Sequence, residues 1–133
     1  MDFSSLRFVL PTLHELFIEK LSLYIEEINK EKNDGLILLP FENKSLFENC
    51  QKLPCFKFEL MESEYSKKDS IIENTVFEFV LEIKTKRNSE LRLIENCRYA
   101  EAIDKMIKNN NIDFLDFRIL KLRVNDLYFR LVI

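Results

Sequence analysis

The sixteen residues from Arg118 to Ile133, RILKLRVNDLYFRLVI, alternate apolar and polar side chains on both sides of Asn125-Asp126. Asn and Asp tolerate the positive φ that a tight hairpin turn requires, so this stretch predicts a β-hairpin with these two residues as its turn. The second strand is apolar, and an unpaired strand of this kind is an aggregation edge. We therefore expect it to be buried within the fold or against a partner.

The predicted turn sets the register of the hairpin. One face then pairs Val124 with Leu127, Leu122 with Phe129 and Leu120 with Leu131, and helices should cover this apolar surface. The other face pairs Arg123 with Tyr128, Lys121 with Arg130 and Ile119 with Val132. Lys121 opposite Arg130 is a like-charge pair, which is destabilising unless an acid lies nearby.

Glu78 and Glu82, on an earlier strand, are the candidate acids. Three interpretations of the charged face stay open. The acids neutralise Lys121 and Arg130 within the chain, or the face docks another subunit, or it binds phosphate or nucleic acid, for which few basic residues beside acids give weak affinity. As a subunit-contact face, its candidate residues are Glu78, Glu82, Lys121, Arg123, Tyr128 and Arg130.

Two segments predict amphipathic helices. Apolar residues recur every three or four positions over residues 12–33, with Pro11 in the first turn and Gly35 as a left-handed cap. Residues 88–109 repeat the pattern, with an apolar stripe of Leu93, Cys97, Ala100, Ile103 and Ile107 that is widened by Ile94, Tyr99 and Met106.

Between the helices, Leu36 to Leu39 predicts a short buried strand, and residues 43–50 have the composition of one or two helical turns. Cys55 to Glu62 and Thr75 to Lys86 alternate as strands, with Phe77, Phe79, Leu81 and Ile83 directed inward. The polar residues 63–70 are interpreted as the turn between them. A bulge is expected near Leu115 to Leu122, because the alternation changes phase there.

The element order is therefore helix, short strand, two long strands, helix, two strands (α-β-β-β-α-β-β). This order predicts one α+β domain over residues 1–133, a two-layer sandwich with two helices on one face of a mainly antiparallel sheet. The chain is 47% hydrophobic with 12 Phe, which suffices for a substantial core.

Composition excludes several classes of function. The net charge of −3 argues against a general nucleic-acid binder, and no apolar run is long enough for a membrane span. The first residues lack the basic region and cleavage site of a signal peptide, so we expect a cytoplasmic protein. The single glycine, Gly35, excludes a glycine-rich phosphate loop.

The sequence offers little catalytic chemistry. His14 is the only histidine, and no local motif places it beside a nucleophile. Cys50, Cys55 and Cys97 lack metal-binding spacing; free thiols are expected, with a Cys50–Cys55 disulfide as the alternative. Glu62 and Glu64 could do acid–base work from a loop, but such pairs arise by chance among 23 acidic residues. We expect no catalytic residues, no metal and no cofactor.

Residues 95–103, ENCRYAEAI, resemble the helix of Y-R-Y-A-x-A-I type in tail-terminator and tail-completion proteins of long-tailed bacteriophages and prophages. The order of elements agrees over most of the chain, including Leu53-Pro54 before a strand, whereas the residue pattern matches only in the Arg98–Ile103 helix. The terminal hairpin adds a strand beyond the family's pattern.

The resemblance implies a structural protein that forms a ring, often hexameric, which caps the tail tube or joins tail to head. Its partners would be copies of itself and tail-tube or head-connector proteins, in the host cytoplasm before incorporation into a virion. The exposed sheet face and the polar segment 63–74 would carry the subunit contacts, while Arg98 and Tyr99 would set helix packing. Two alternatives remain: a cytoplasmic α+β interaction module with no phage role, and a small enzyme.

Overall fold

A four-stranded antiparallel sheet with the strand order β1-β2-β4-β3 is the framework of the fold. The strands are β1 (Cys55–Lys68), β2 (Ile71–Lys84), β3 (Asp116–Leu122) and β4 (Asp126–Val132). The computed structural model describes residues 3–68, 71–84, 89–110, 116–123 and 126–132. β4 lies between β2 and β3, so the apolar last strand is paired on both sides within the fold, as its composition led us to expect.

The helices are α1 (Phe3–Glu15), a wider π-helical segment (Leu16–Lys20), α2 (Leu21–Glu31) and α3 (Ser89–Asn110). The first three run on without a break. α2 and α3 lie antiparallel: the Asn110 side-chain amide donates to the Tyr24 hydroxyl at 2.9 Å, and Lys105 binds Glu31 at 3.2 Å. The α+β two-layer sandwich is thus confirmed.

The core lies between the helices and the inward face of the sheet. Its sheet side is built from Phe56, Phe58, Phe77, Phe79, Leu81, Ile83, Phe117, Leu127, Phe129 and Leu131, all buried. Phe129 is central: its ring centroid lies 5.3 Å from that of Phe79, 5.6 Å from Phe117, 6.1 Å from Phe58 and 6.5 Å from Phe17 in the π-helical segment. Contacts between phenylalanines therefore join the helix layer to all four strands.

The first helix begins earlier than predicted, at Phe3, so Pro11 lies inside a helix and not in its first turn. Proline removes a backbone hydrogen bond at this point. Val9 and Leu13, on either side of Pro11, are only 1% and 0% exposed. We infer that their burial holds the helix together across the proline, because tertiary packing stabilises helices more than local propensity does. Gly35 does have a positive φ, of 88°, but it lies beyond the helix end at Glu31.

The short strand predicted over Leu36 to Leu39 is absent, and so is the helix predicted over 43–50, where the chain makes turns. Asn29 explains the first difference: its side chain accepts from the Leu38 N–H at 2.8 Å and donates to the Leu38 carbonyl at 2.9 Å. A side-chain amide thereby satisfies both backbone groups that a neighbouring strand would have paired. The same arrangement recurs where Asn43 binds the N–H and carbonyl of Phe56 in β1, both at 2.9 Å.

The β1–β2 hairpin is longer than predicted. The polar residues interpreted as a turn continue β1 to Lys68, and β2 already begins at Ile71, with Lys68 opposite it. β4 pairs with β2 only from Val76 to Glu82, so the far part of the hairpin is two-stranded. Side chains in this two-stranded part need not alternate between a core side and a solvent side. The sequence pattern therefore did not identify these residues as strands. The predicted residues 85 and 86 of β2 lie outside the described chain.

The terminal hairpin is confirmed, but its predicted register is wrong. Leu122 lies opposite Leu127 and Lys121 opposite Tyr128, and the Arg123 N–H donates to the Asp126 carbonyl at 2.8 Å. Arg123 and Asp126 therefore close the hairpin, and Asp126 is the first residue of β4. The other predicted turn residue, Asn125, and Val124 fall outside the described residues. A bulge between Ile119 and Lys121 leaves Leu120 45% exposed and shifts every later pair.

The apolar stripe predicted for α3 is wrong in its first half. Ile103 and Ile107 are buried, but Leu93 and Ile94 are 45% and 46% exposed and Cys97 is exposed as well. Arg98 and Tyr99, in the segment that resembles the phage proteins, make structural contacts: the Arg98 guanidinium pairs with the Asp34 carboxylate, and the Tyr99 hydroxyl donates to the Leu39 carbonyl at 2.6 Å. The Arg98 contact holds the pKa of Asp34 at about 2, below its usual 3.8.

Candidate interaction surface

The face of the sheet turned away from the helices, here called the outer face, brings the six predicted subunit-contact residues together. Glu78 and Glu82 lie on β2, Tyr128 and Arg130 on β4, and Lys121 on β3, with Arg123 in the adjoining turn. Along β2 and β4 these residues alternate with core residues such as Phe79 and Phe129, which are fully buried. Since successive strand residues point to opposite faces, the alternation gives the outer face its composition.

One row across the outer face contains Glu78, Arg130 and Arg118, on β2, β4 and β3 respectively. Glu78 lies directly opposite Arg130, as the expected neutralisation requires of one of the two acids. The predicted pair of Lys121 and Arg130 does not form. Leu122 pairs with Leu127 and not with Phe129, a shift of two residues, and the bulge at Leu120 adds one more, so Arg118 lies opposite Arg130. Two like charges therefore still face each other in this row. Arg130 Nε is buried and makes no hydrogen bond.

The next row has an apolar and aromatic centre. Val80 on β2 lies opposite Tyr128 on β4, and Tyr128 lies opposite Lys121 on β3. The Arg123 guanidinium carbon lies 5.8 Å from the centroid of the Tyr128 ring, within the range of a cation–π contact. Val80 and Tyr128 are both half-buried although no helix covers them. This row thus offers a partly apolar strip flanked by positive charge.

The third row is acidic at its centre. Glu82 lies opposite Lys57 on one side and Asp126 on the other, so it does not face Lys121 as we had expected. Lys84 approaches Glu82 at 3.9 Å, and Lys57 pairs with Glu59 at 3.1 Å, which raises the pKa of Lys57. Glu82, which faces Asp126, and Glu78, which faces Arg130, thus both lie on β2.

Charge is partly separated across the outer face as a result. β2 carries the acids Glu78 and Glu82 beside Lys84, so its net charge there is negative. β3 and the adjoining turn carry Arg118, Lys121 and Arg123 beside Asp116, which lies 3.7 Å from Arg118, so their net charge is positive. The two sides of the face are therefore complementary in net charge. Arg118 and Asp126 were missed from the sequence, because both depend on the position of a turn and a bulge that alternation alone does not fix.

The groups considered for catalysis do not converge in the described structure. His14 is half-buried in the last turn of α1. The backbones of Glu62 and Glu64 lie within β1, opposite Glu78 and Val76, and not in a loop. Among the residues described, no three His, Cys, Asp or Glu side chains are placed to hold a metal ion.

The cysteines are free thiols in this structure. The Cys55 thiol donates to the Cys50 carbonyl at 3.4 Å, and burial raises the pKa of Cys55. Within the described part of the chain, no helix has the length and apolar character needed to cross a membrane. No protein-family model and no curated protein sequence matches the chain.

Proposed function

We propose that this protein is a structural assembly protein whose copies join through the outer face into a ring, in the manner that the resemblance to phage tail-terminator and tail-completion proteins implies. The observation that carries the proposal is the outer face, on which β2 is net negative and β3 with Arg123 is net positive. A ring requires a heterologous contact, in which two different surface regions of neighbouring subunits meet. Such a contact brings the β2 side of one subunit against the β3 side of the next, where the net charges attract.

The centre of the outer face has the chemistry of a protein contact. Tyr and Arg are enriched at the energetic centres of protein interfaces, and here Tyr128 lies between Arg123 and Val80. Arg130 Nε, buried without a hydrogen bond in the isolated chain, would gain an acceptor from a neighbouring subunit. A small area of apolar surface surrounded by charge suits a contact that forms during assembly.

The alternative is an interaction module with no phage role. It would use the same outer face, but for an unrelated partner and without a ring. The two functions differ in one observable property, because only the assembly protein forms oligomers through the outer face in the absence of other proteins.

The test is the mass of the purified chain at high concentration, measured by light scattering during size-exclusion chromatography. The double variant Lys121→Glu with Arg130→Glu reverses two positive charges of the outer face. The matched control, Lys30→Glu with Lys52→Glu, makes the same charge change at exposed positions outside the sheet. We expect ring-sized oligomers for wild type and control, and nothing larger than a dimer for the outer-face variant. Equal oligomers for all three would remove the outer face from the proposal.

A second measurement separates the phage role from simple self-association. Isolated phage tail tubes are mixed with the wild-type chain or the outer-face variant, and the tubes are sedimented. The proposed function predicts that assembled wild-type protein sediments with the tubes. Failure of an assembled ring to bind any tube would favour the alternative without affecting the assignment of the contact face.

A further inference from the structure

The first half of α3 has its hydrophobic pattern reversed. Leu93 and Ile94 are 45% and 46% exposed, whereas the neighbouring Glu95 and Asn96 are 4% and 0% exposed. Cys97, one position further on, is exposed. Burying polar groups while apolar ones face water is unfavourable unless another interaction compensates. The pattern therefore marks this helix surface as one that is not adapted to water.

The second half of α3 sets the rotation of the helix. Tyr99, Ile103, Met106 and Ile107 are at most 1% exposed, and they fix which side of the helix meets the sheet. A rigid helix turns by about 100° per residue, so the same rotation carries Ile94 to the side opposite the core. Asn96 then lies inside with neither its Oδ1 nor its Nδ2 hydrogen-bonded. We infer that this unfavourable burial of Asn96 is retained because the exposed apolar residues have a function.

These exposed residues line a cleft of about 360 Å³, together with Lys32, Arg98 and Glu101. We call Leu93, Ile94 and Cys97 the α3 patch. Ile37 and Leu39, 59% and 54% exposed, belong to the loop that Arg98 and Tyr99 bind through backbone carbonyls, which adds apolar surface nearby.

We propose that the α3 patch binds the same patch of a second copy of this chain, with the two α3 helices antiparallel across a two-fold axis at Ile94. Positions equally far before and after Ile94 then meet. Ile94 contacts its own counterpart, and Leu91, 39% exposed, lies opposite Cys97. Glu90, which is exposed, comes opposite Arg98, so the ends of the contact are complementary in charge.

Arg98 retains the capacity for this pairing. Its guanidinium has five N–H donors, of which the structure uses those facing both oxygens of the Asp34 carboxylate and the Leu36 carbonyl. Donors thus remain for the Glu90 carboxylate of the second copy. This self-complementarity is the reason for choosing a second copy over an unrelated helix.

The α3 patch lies in the helix layer and the outer face lies on the other side of the sheet, so the two contacts do not compete. The proposal goes beyond the proposed function and does not depend on it. A ring built through the outer face is a heterologous assembly, whereas the α3 patch makes an isologous pair. Rings with both contacts would associate in pairs.

Cysteine cross-linking tests the axis directly. In a background with Cys50→Ser and Cys97→Ser, the variant Ile94→Cys is oxidised and run on a non-reducing gel, with Leu23→Cys as the matched control. Leu23 is 62% exposed on α2, so both new thiols are accessible. Because Ile94 lies on the two-fold axis, we expect several times more covalent dimer from Ile94→Cys. Equal yields from the two variants would overturn the proposal.

The spacing provides an independent check. In the proposed pair, the two copies of Cys97 are displaced along the helices by about 9 Å, since each residue rises 1.5 Å, and this is too far for a disulfide. Native Cys97, tested with Ile94 intact, should therefore cross-link no better than the Leu23→Cys control. Repeating the Ile94→Cys experiment with Lys121→Glu and Arg130→Glu should leave the yield unchanged, whereas its loss would show that the contact belongs to the outer-face assembly.

Discussion

Replacing Asn43 by alanine should destabilise the protein more than replacing any other polar side chain in the loop between α2 and β1. The Asn43 amide makes two hydrogen bonds to the backbone of Phe56, one to the N–H and one to the carbonyl, each 2.9 Å long. The side chain of Asn43 is only 9% exposed and that of Phe56 only 2%. Water therefore reaches this site poorly once the amide is gone.

The magnitude follows from the two backbone groups that Asn43→Ala would leave unpaired. Each buried N–H or carbonyl without a partner costs about 1–3 kcal/mol, so the free energy of unfolding should fall by about 2–6 kcal/mol. For a chain of this size, the midpoint of thermal unfolding should fall by roughly 3 °C for each kcal/mol. The amide proton of Phe56 should also exchange faster with solvent, because β1 has its outer edge covered by Asn43 at this point.

Asn29→Ala is the matched control. Asn29 makes the same pair of hydrogen bonds to Leu38, but its own side chain is half exposed, so water can replace it. We expect a loss of about 1 kcal/mol, measured like that of Asn43→Ala by urea unfolding. A loss below 1 kcal/mol for Asn43→Ala, or a larger one for Asn29→Ala, would refute the reasoning from burial.

Three further results are expected. Asp34→Asn should lower the midpoint of thermal unfolding at neutral pH, because Arg98 lowers the Asp34 pKa from 3.8 to about 2 and their ion pair stabilises only the charged carboxylate. The difference between variant and wild type should vanish as the pH falls from about 4 through about 2. A difference that persists below pH 2 would contradict this. Phe129→Ala should cost about 3–5 kcal/mol in urea unfolding, since four rings pack against Phe129; a cost below 1 kcal/mol would mean that it is not central. Cys97 should react with a thiol reagent in the native state. Cys55 is 3% exposed and burial raises its pKa, so it should react only on unfolding. Equal rates of thiol modification at Cys97 and Cys55 would contradict the description of both sites.

The α+β sandwich could be predicted from hydrophobic periodicity, because residues along each strand and helix alternate between the core side and the solvent side. Phe77, Phe79, Leu81 and Ile83 all point inward as predicted. The predicted strand at Leu36 to Leu39 failed because the Asn29 amide serves as its hydrogen-bonding partner. Such a contact joins residues nine positions apart and leaves no periodic trace in the sequence.

The sequence predicted which residues lie on the candidate face, but not which of them lie opposite one another. Lys121, Tyr128 and Arg130 share the outer face, because the side-chain alternation within each strand does not depend on the exact turn. Their partners do depend on it: the pairing of Leu122 with Leu127 shifts the register by two residues and the bulge at Leu120 by one more, so Arg118 replaces Lys121 opposite Arg130. The exposed half of α3 was also predicted wrongly, since burial of its other half, which includes Ile103, decides the rotation.

The most direct test of the central claim, that the outer face carries the subunit contact, is the mobility of a spin label at residue 128. Tyr128 is replaced by a labelled cysteine in a background without Cys50 and Cys97, with a label at residue 23 on α2 as the control. As the protein concentration rises, we predict that the label at 128 becomes immobilised while the label at 23 keeps its mobility. A label at 128 that moves equally freely in monomers and in oligomers would contradict the account.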